Sequence, residues 1–380
     1  MHSEQRQRTR DLLRSRGVNR ALFAHPHSIT WLTGFAPGIQ LGPNLFAGGP
    51  PLVWCEDGHF TLILMEGMID VSGGLADEPD CEIVTYPGYT YQGPIDGPAG
   101  LRAALQNVTG RPTGSGPLGV ELNSLPLALG IMLRQAGWEA MQAIDGWLGV
   151  LRMVKTPEEL TKLRANFALT DIGHAAARRA VQPGQREIDI WTEIHSAVER
   201  AAGHRVPLGN DCVVGSRQAN IGGWPEDRIL EDHDAIIIDL STVDLGYWGD
   251  SCATYYATTP TPAQQRAHQT VLDALDAAIA MVRPGVRASD IDHVAREMIT
   301  NAGYPDYPHH TGHGVGVSGH EAPRITPYNE QVLEPGMVIM LELGIYLPGE
   351  FGVRLEDALL VTADGANILT SHEKRCLPLP

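Results

Sequence analysis

Carboxylates placed inside apolar runs are the feature that most restricts how this chain can fold. Asp239 follows the apolar residues 235–238, and Glu342 interrupts the apolar run 338–346. Asp250 and Glu356 lie in the segments that follow these two runs along the chain. Such runs predict buried strands, where an ionised carboxylate without a partner is very costly. The four acids therefore need a positive group to share.

The spacing of the acids predicts that they face one another in two hairpins. If the loop of the first hairpin has two residues, Val243 pairs with Gly246 and Asp239 lies opposite Asp250. Around the turn 347–350, Glu342 lies opposite Glu356 in the same way. Like charges directly opposite each other destabilise a sheet. A divalent cation between the carboxylates is the simplest remedy.

A histidine-rich segment, residues 309–320, lies between the two hairpins. Glycines flank His313 and allow the backbone to approach a site closely. Four carboxylates and one imidazole suit Mn²⁺, Fe²⁺, Co²⁺ or Zn²⁺. Bridging carboxylates would hold two ions roughly 3.5 Å apart and generate a hydroxide near neutral pH. The alternatives are a buried ion pair of Glu342 with Arg354 and a hydrogen-bonded core role for His313.

Length and composition predict two globular domains that do not bind nucleic acid. The chain has 380 residues and a formal charge of −17, which repels phosphate backbones. Strands interleaved with helices over residues 1–152 predict an α/β domain, and helices grouped apart from hairpins over 153–380 predict an α+β domain. No run approaches the roughly 20 apolar residues of a membrane span. We therefore expect a cytoplasmic protein.

The order Asp239, Asp250, His313, Glu342, Glu356 resembles that of the pita-bread metallopeptidases, the family of aminopeptidase P, prolidase and creatinase. The resemblance covers about residues 155–380, and residues 28–35 resemble the domain that precedes the catalytic one. It implies an α+β fold with a C-terminal pita-bread (creatinase/aminopeptidase) domain at 153–380. A smaller creatinase-like α/β N-terminal domain would occupy residues 1–152.

The resemblance also implies a cofactor of two divalent metal ions, Mn, Co, Zn or Fe, with Mn favoured. Asp250 and Glu356 would bridge the two ions. Asp239 would bind one ion, and His313 with Glu342 would bind the other. A small peptide or another small molecule would be the substrate, with no nucleic acid or membrane partner, and the chain would form a homodimer.

Four residues are expected to take part in catalysis. Glu342 would help to deprotonate the bridging water, and His320 would contact the substrate or the intermediate. Arg354 can orient a carboxylate through bidentate hydrogen bonds. His309 is the fourth, as a replacement for an imidazole that the chain lacks.

Three positions depart from the pattern of the Xaa-Pro enzymes. Gly222 stands where those enzymes have a substrate-binding histidine, Ala253 stands in place of an arginine, and Cys252 replaces a threonine. Loss of one such donor commonly costs roughly 10²–10³ in turnover. Either His309 or His310 is available to take over the role of the missing imidazole.

Three functions follow from these residues. The first is a two-metal hydrolase that cleaves N-terminal Xaa-Pro bonds of di- or oligopeptides. The second is a non-peptidase of the same fold, an amidino or cyclic-amide hydrolase or a lyase, which the absences at Gly222 and Ala253 motivate. The third is a binding protein without catalysis.

Overall fold

The computed structural model describes residues 2–36, 48–68, 78–88, 91–94, 96–112, 116–209 and 211–376. The chain forms two compact units, Met1–Leu151 and Arg152–Pro380. Within the described ranges, no helix has both the length and the apolar character needed to cross a membrane.

The first unit contains a six-stranded sheet in the order β4-β3-β2-β1-β5-β6. Its elements are α1 (Ser3–Ser15), β1 (Arg20–Phe23), α2 (Pro26–Thr33), β2 (Leu52–Glu56), β3 (His59–Met65), β4 (Cys81–Tyr86), α3 (Gly97–Thr109), β5 (Leu118–Val120), α4 (Leu127–Gln135), β6 (Met141–Ala143) and α5 (Trp147–Arg152). The sheet is mixed, because β2 pairs antiparallel with β1 and β3 while the other pairs are parallel. Alternation of strands and helices confirms the α/β character of this part of the chain.

Asp57-Gly58 stands between two apolar runs of the sequence, a pattern that predicts a hairpin, and the hairpin β2–β3 forms there. Glu56 pairs with His59, which leaves Asp57 and Gly58 as a two-residue loop. Both loop residues have positive φ, 49° and 86°. A two-residue turn of this kind needs that geometry to match the twist of its strands, and Asp-Gly supplies it at low cost.

The second unit contains the helices and hairpins of the α+β part. Its elements are α6 (Pro157–Ala180), α7 (Glu187–Ala202), β7 (Leu208–Gly209), β8 (Cys212–Val214), β9 (Ala235–Asp244), β10 (Tyr247–Tyr256), α8 (Pro262–Met281), α9 (Ala288–Asn301), β11 (Gly312–Gly314), β12 (Glu321–Ile325), β13 (Val338–Leu347), β14 (Phe351–Val361) and β15 (Ala366–Ile368). The strands form one sheet in which β9 pairs with β10, β7 and β8, and a second in the order β12-β11-β13-β14-β15. Strands β10 and β14 lie against each other and bring the two sheets together.

Two of the four long helices start at a capping box. The Thr156 hydroxyl accepts a hydrogen bond from the Glu159 N–H, and the Glu159 carboxylate accepts one from the Thr156 N–H. Thr261 and Gln264 do the same at the start of α8. In both helices a proline occupies the first turn, where its missing N–H is no loss. These local hydrogen bonds mark where both helices begin.

The register of the first hairpin differs from the prediction. The turn residues are Leu245 and Gly246, so Asp239 lies opposite Cys252 and Asp250 lies opposite Ser241. The predicted direct pairing of Asp239 with Asp250 is therefore wrong by two residues. Leu245 and Gly246 both have positive φ, 54° and 76°. A two-residue hairpin turn favours glycine at such a position, which places Gly246 inside the turn rather than in the strand.

The two aspartates nevertheless remain on one face of the hairpin. Side chains two residues apart on a strand point the same way, and cross-strand partners share a face. Asp239, Asp250 and Cys252 therefore project from the same side.

In the second hairpin Glu342 pairs directly with Glu356. The prediction for these two residues is confirmed. Both strands are almost continuously buried, and Glu356 itself has only 1% of its surface exposed. The fold thus places two carboxylates face to face in an apolar setting.

Candidate metal centre

Three of the predicted ligands meet at one point. Donor atoms of Asp250, His313 and Glu356 all lie within 4.8 Å of one another, and all three residues are buried. Asp250 comes from β10, His313 from β11 and Glu356 from β14. Three strands of two sheets therefore contribute one side chain each, which holds the donors on rigid elements.

His313 is held in one tautomer by its own strand. Its Nδ1 lies 3.0 Å from the carbonyl oxygen of Gly314. Because a carbonyl only accepts, Nδ1 carries the proton and Nε2 keeps its lone pair. That Nε2 lies 3.8 Å from Asp250 Oδ2 and 3.6 Å from Glu342 Oε1. A metal-binding imidazole requires this arrangement.

The glycines beside His313 are required for packing. A Cβ on Gly312 would lie 2.0 Å from the carbonyl oxygen of Met340, and one on Gly314 would lie 2.2 Å from that of Ala322. Both contacts are shorter than real Cβ atoms show. The short strand β11 can therefore lie between β12 and β13 only because its two end residues lack side chains.

A second group of donors overlaps the first. Atoms of His310, His313, His320 and Glu342 also lie within 4.8 Å of one another. His310 Nε2 is 2.7 Å from Glu342 Oε1. The site therefore has a carboxylate side around Asp250 and Glu356 and an imidazole side around His310.

Asp239 is positioned by an arginine. Arg354 Nη2 lies 2.8 Å from Asp239 Oδ2, and the same nitrogen donates to Asp211. Arg354 Nη1 donates to the carbonyl of Ile221 and to the Tyr346 hydroxyl, 3.3 Å away. Among the residues that the structure describes, Arg354 forms its ion pairs with Asp211 and Asp239. The alternative pairing of Arg354 with Glu342 is therefore wrong.

The charge balance of the cluster indicates that cations belong in it. Burial, together with the charges of Asp239 and Glu342, raises the pKa of Asp250 well above its ordinary value. Burial and the neighbouring Asp250 raise the pKa of Glu356 in the same way. One carboxylate oxygen of Glu356, Oε2, is buried and has no hydrogen-bond partner among the described residues. Divalent cations would satisfy that oxygen and offset the repulsion, so the residues fit a divalent metal.

Glu342 behaves differently from its cross-strand partner Glu356. Burial alone would raise the pKa of Glu342, but the adjacent His310, His313 and His309 outweigh burial and lower it to about 2. Burial lowers the pKa of His313 to about 3. At neutral pH the site therefore presents an ionised Glu342 beside a neutral His313 imidazole.

The two remaining predicted histidines occupy different places. His309 Nδ1 lies 2.8 Å from the carbonyl of His310, and its Nε2 lies 2.9 Å from the Tyr346 hydroxyl. Both of its nitrogens are thus engaged away from the carboxylates. His320 lies at the surface, with its ring centroid 4.0 Å from that of His313.

The departures at Gly222 and Cys252 also have a structural setting. A Cβ on Gly222 would lie 1.8 Å from Asp211 Oδ2, so the Asp211 carboxylate occupies the space of any side chain there. The Cys252 thiol is fully buried and its Sγ lies 3.7 Å from the carbonyl oxygen of Arg354. Both substitutions therefore border the arginine that holds Asp239.

Sequence reasoning missed Asp211 and Tyr346 and left His310 undecided against His309. Asp211 precedes a short strand and carries no local signal, and Tyr346 reads as one more apolar residue of its strand. The His309-His310 pair is visible in the sequence, but only the coordinates show that His310 faces Glu342 while His309 contacts Tyr346.

Comparison with known proteins gives two family matches. Residues 161–363 match the metallopeptidase family M24, and residues 5–154 match the creatinase/prolidase N-terminal domain. Together the two matches cover most of the chain.

Similar proteins include named peptidases. An uncharacterised peptidase of Staphylococcus epidermidis is 35% identical over 237 residues, 62% of this chain and 68% of that protein. The Xaa-Pro dipeptidase of Pyrococcus furiosus is 35% identical over 235 residues, 62% of this chain and 68% of that protein. The structure of prolidase from Pyrococcus furiosus superposes with a TM-score of 0.80 at 26% identity and covers 96% of this chain and 100% of that one.

Proposed function

The chain belongs to the metallopeptidase family M24, with a creatinase/prolidase domain before the catalytic one, and on that basis we propose that it is a metal-dependent Xaa-Pro dipeptidase. A similar enzyme from Pyrococcus furiosus is named for that activity. The observation that carries the proposal is the convergence of Asp250, His313 and Glu356 on one point, with a buried carboxylate oxygen left for a cation.

Two divalent cations would supply the Lewis acid that polarises the scissile carbonyl and lowers the pKa of a water molecule. Asp250 and Glu356 would be shared between the ions. Asp239 would hold one ion, and His313 with Glu342 would hold the other. The residues named here would act by holding the ions, orienting the substrate and moving protons.

Proton transfer is assigned to Glu342. Its ionised carboxylate lies between His310 Nε2, at 2.7 Å, and His313 Nε2, at 3.6 Å. A carboxylate in this position can accept a proton from water and pass it to the leaving amine.

His320 is assigned to the substrate. It lies beside His313, and the partial desolvation of its ring lowers its pKa, which favours the neutral imidazole. A neutral imidazole can donate one hydrogen bond to the carbonyl oxygen as charge develops there. Arg354 and His309 are assigned to positioning, because they act on Asp239 and Tyr346 respectively.

Two finer properties are proposed on the same basis. Manganese is proposed as the main native ion, because carboxylates form most of the donor set. A homodimer is proposed from the family resemblance, and size-exclusion chromatography with light scattering would test the oligomeric state. A cytoplasmic location is proposed from the sequence.

The experiment that tests the function is a matched peptide panel. Protein stripped with a chelator and reloaded with Mn²⁺ is given a dipeptide Xaa-Pro, its Xaa-Ala counterpart and the tripeptide Xaa-Pro-Xaa. We expect cleavage of Xaa-Pro, much slower cleavage of Xaa-Ala, and no turnover with the metal-free protein. Inertness toward every Xaa-Pro peptide, with both ions bound, would contradict the proposal and favour the non-peptidase alternative that Gly222 and Ala253 suggest.

A further inference from the structure

The imidazole side of the site contains more nitrogen donors than the predicted ligand set uses. The ring centroids of His310 and His313 are 5.3 Å apart, and those of His310 and His320 are 5.5 Å apart. All three imidazoles, together with Glu342, offer donor atoms within 4.8 Å of one another. Only His313 and Glu342 belong to the five ligands that the sequence predicts.

His310 differs from its neighbour His309 in the hydrogen-bond partners of its ring nitrogens. The Tyr346 hydroxyl and a backbone carbonyl occupy both nitrogens of His309. His310 Nε2 is buried beside Glu342 Oε1, but its geometry satisfies no hydrogen bond among the described residues. A buried imidazole nitrogen beside a carboxylate, without a well-formed hydrogen bond, is suited to bind a cation together with that carboxylate.

We propose that His310 is a further ligand of the cation on the His313 side, and that this second imidazole makes that position prefer Zn²⁺ to Mn²⁺. Imidazole suits zinc, whereas carboxylates and water suit manganese. The predicted position on the other side would instead draw on the carboxylate oxygens of Asp250 and Glu356, with Asp239 as its further predicted ligand. The two positions are therefore chemically unequal. This inference rests on the cation site of the proposed function and not on its peptide substrate.

The distances show how small a movement the proposal needs. Two ligands of one tetrahedral ion, with bonds of about 2.1 Å, are about 3.4 Å apart. His313 Nε2 and Glu342 Oε1 already lie at 3.6 Å. His310 Nε2 and Glu342 Oε1 at 2.7 Å must separate by about 0.7 Å. His310 precedes the strand β11 and its side chain is about one quarter exposed, so the ring has room to turn.

The test counts imidazoles on bound zinc. The full-length protein, stripped and loaded with two equivalents of Zn²⁺, is examined by zinc X-ray absorption fine structure. We expect two imidazoles for every two ions in the wild type and one in His310→Ala. His309→Ala and His320→Ala are the matched controls, and both should keep the wild-type count. His310→Gln replaces His310→Ala should the smaller side chain prevent folding.

Calorimetry with Zn²⁺ and with Mn²⁺ provides the second readout. His310→Ala should weaken Zn²⁺ binding at least about 10-fold and Mn²⁺ binding by less. A wild-type count of one imidazole, or a loss of an imidazole only in His320→Ala, would overturn the inference. These readouts need no substrate, so the inference can stand if Xaa-Pro cleavage fails, and it can fail while cleavage stands.

Discussion

At the residue scale, the predicted carboxylates differ in the partner that each one has within the chain. Asp239 has the guanidinium of Arg354, and Glu342 has the imidazole of His310. Glu356 has an oxygen without a hydrogen-bond partner among the described residues. The sequence could mark these acids because they interrupt apolar runs. It could not show Asp211 or His310 as partners, since the contacts that define them join residues far apart in the chain.

Replacement of Glu356 by glutamine tests the charge argument. The raised pKa of Glu356 means that its ionised form destabilises the metal-free fold at neutral pH. We expect Glu356→Gln to raise the Tm of the chelated protein and to abolish most of the Tm increase that Mn²⁺ gives the wild type. Thermal unfolding followed by circular dichroism, with chelator and with Mn²⁺, measures both effects.

The control for this substitution is Glu350→Gln, at an exposed position in the turn of the same hairpin. It should change neither Tm. The charge argument would be wrong if the chelated Glu356→Gln protein melted below the chelated wild type. It would also be wrong if the variant kept the full Tm increase with Mn²⁺, because the Glu356 charge would then not be needed for a cation.

At the element scale, hairpin register follows from turn chemistry more than from the placement of charges. The Asp57-Gly58 hairpin and the direct pairing of Glu342 with Glu356 agree with the sequence-based prediction. The β9–β10 hairpin does not, because Leu245 takes a positive φ that a leucine rarely adopts. A period-two pattern preserves which face a residue occupies, so the aspartates share a face even though their direct pairing was predicted wrongly.

Substitutions in that turn test the observed register. Gly246 has φ 76°, so Gly246→Ala should lower the free energy of unfolding by about 1–2 kcal/mol. Leu245→Asn should raise it by a few tenths of a kcal/mol, roughly, because asparagine tolerates the left-handed region. Urea unfolding of the chelated proteins measures both changes. Equal stability of Gly246→Ala and the wild type would mean that Gly246 lies in the strand and that Asp239 faces Asp250 after all.

At the scale of the whole molecule, each unit has its own charge chemistry. The first unit contains a buried arginine, Arg6, whose Nη2 lies 2.7 Å from Glu78 and 2.6 Å from Asp80. The second contains the carboxylates that need cations from solution. Composition, periodicity and the ligand order predicted an α/β part followed by an α+β part. The long-range pairing of Arg6 with Asp80 has no sequence signal, because the two residues meet only in the folded unit.

Acid should therefore weaken the first unit through Asp80. Burial raises the pKa of Asp80, but hydrogen bonds from Arg6 and Arg10 outweigh burial and lower it from 3.8 to about 2. A carboxylate whose pKa is lowered by folding stabilises the fold when the pH is above its ordinary pKa. That stability is lost as the pH falls from about 4 to about 2. Thermal unfolding between those pH values should be less pH-dependent in Asp80→Asn than in the wild type. Identical slopes would mean that the Arg6–Asp80 pair contributes nothing.

The central claim, that the buried carboxylates converge in order to bind cations, is tested most directly by the number of ions that the chain holds. Protein stripped with a chelator, dialysed against Mn²⁺ or Zn²⁺ and analysed by plasma emission spectrometry should contain two ions per chain. Asp250→Asn, which removes a carboxylate proposed to bind both ions, should contain fewer than one tightly held ion. A wild-type chain that retains no ion after dialysis, or an Asp250→Asn chain that retains two, would contradict the account.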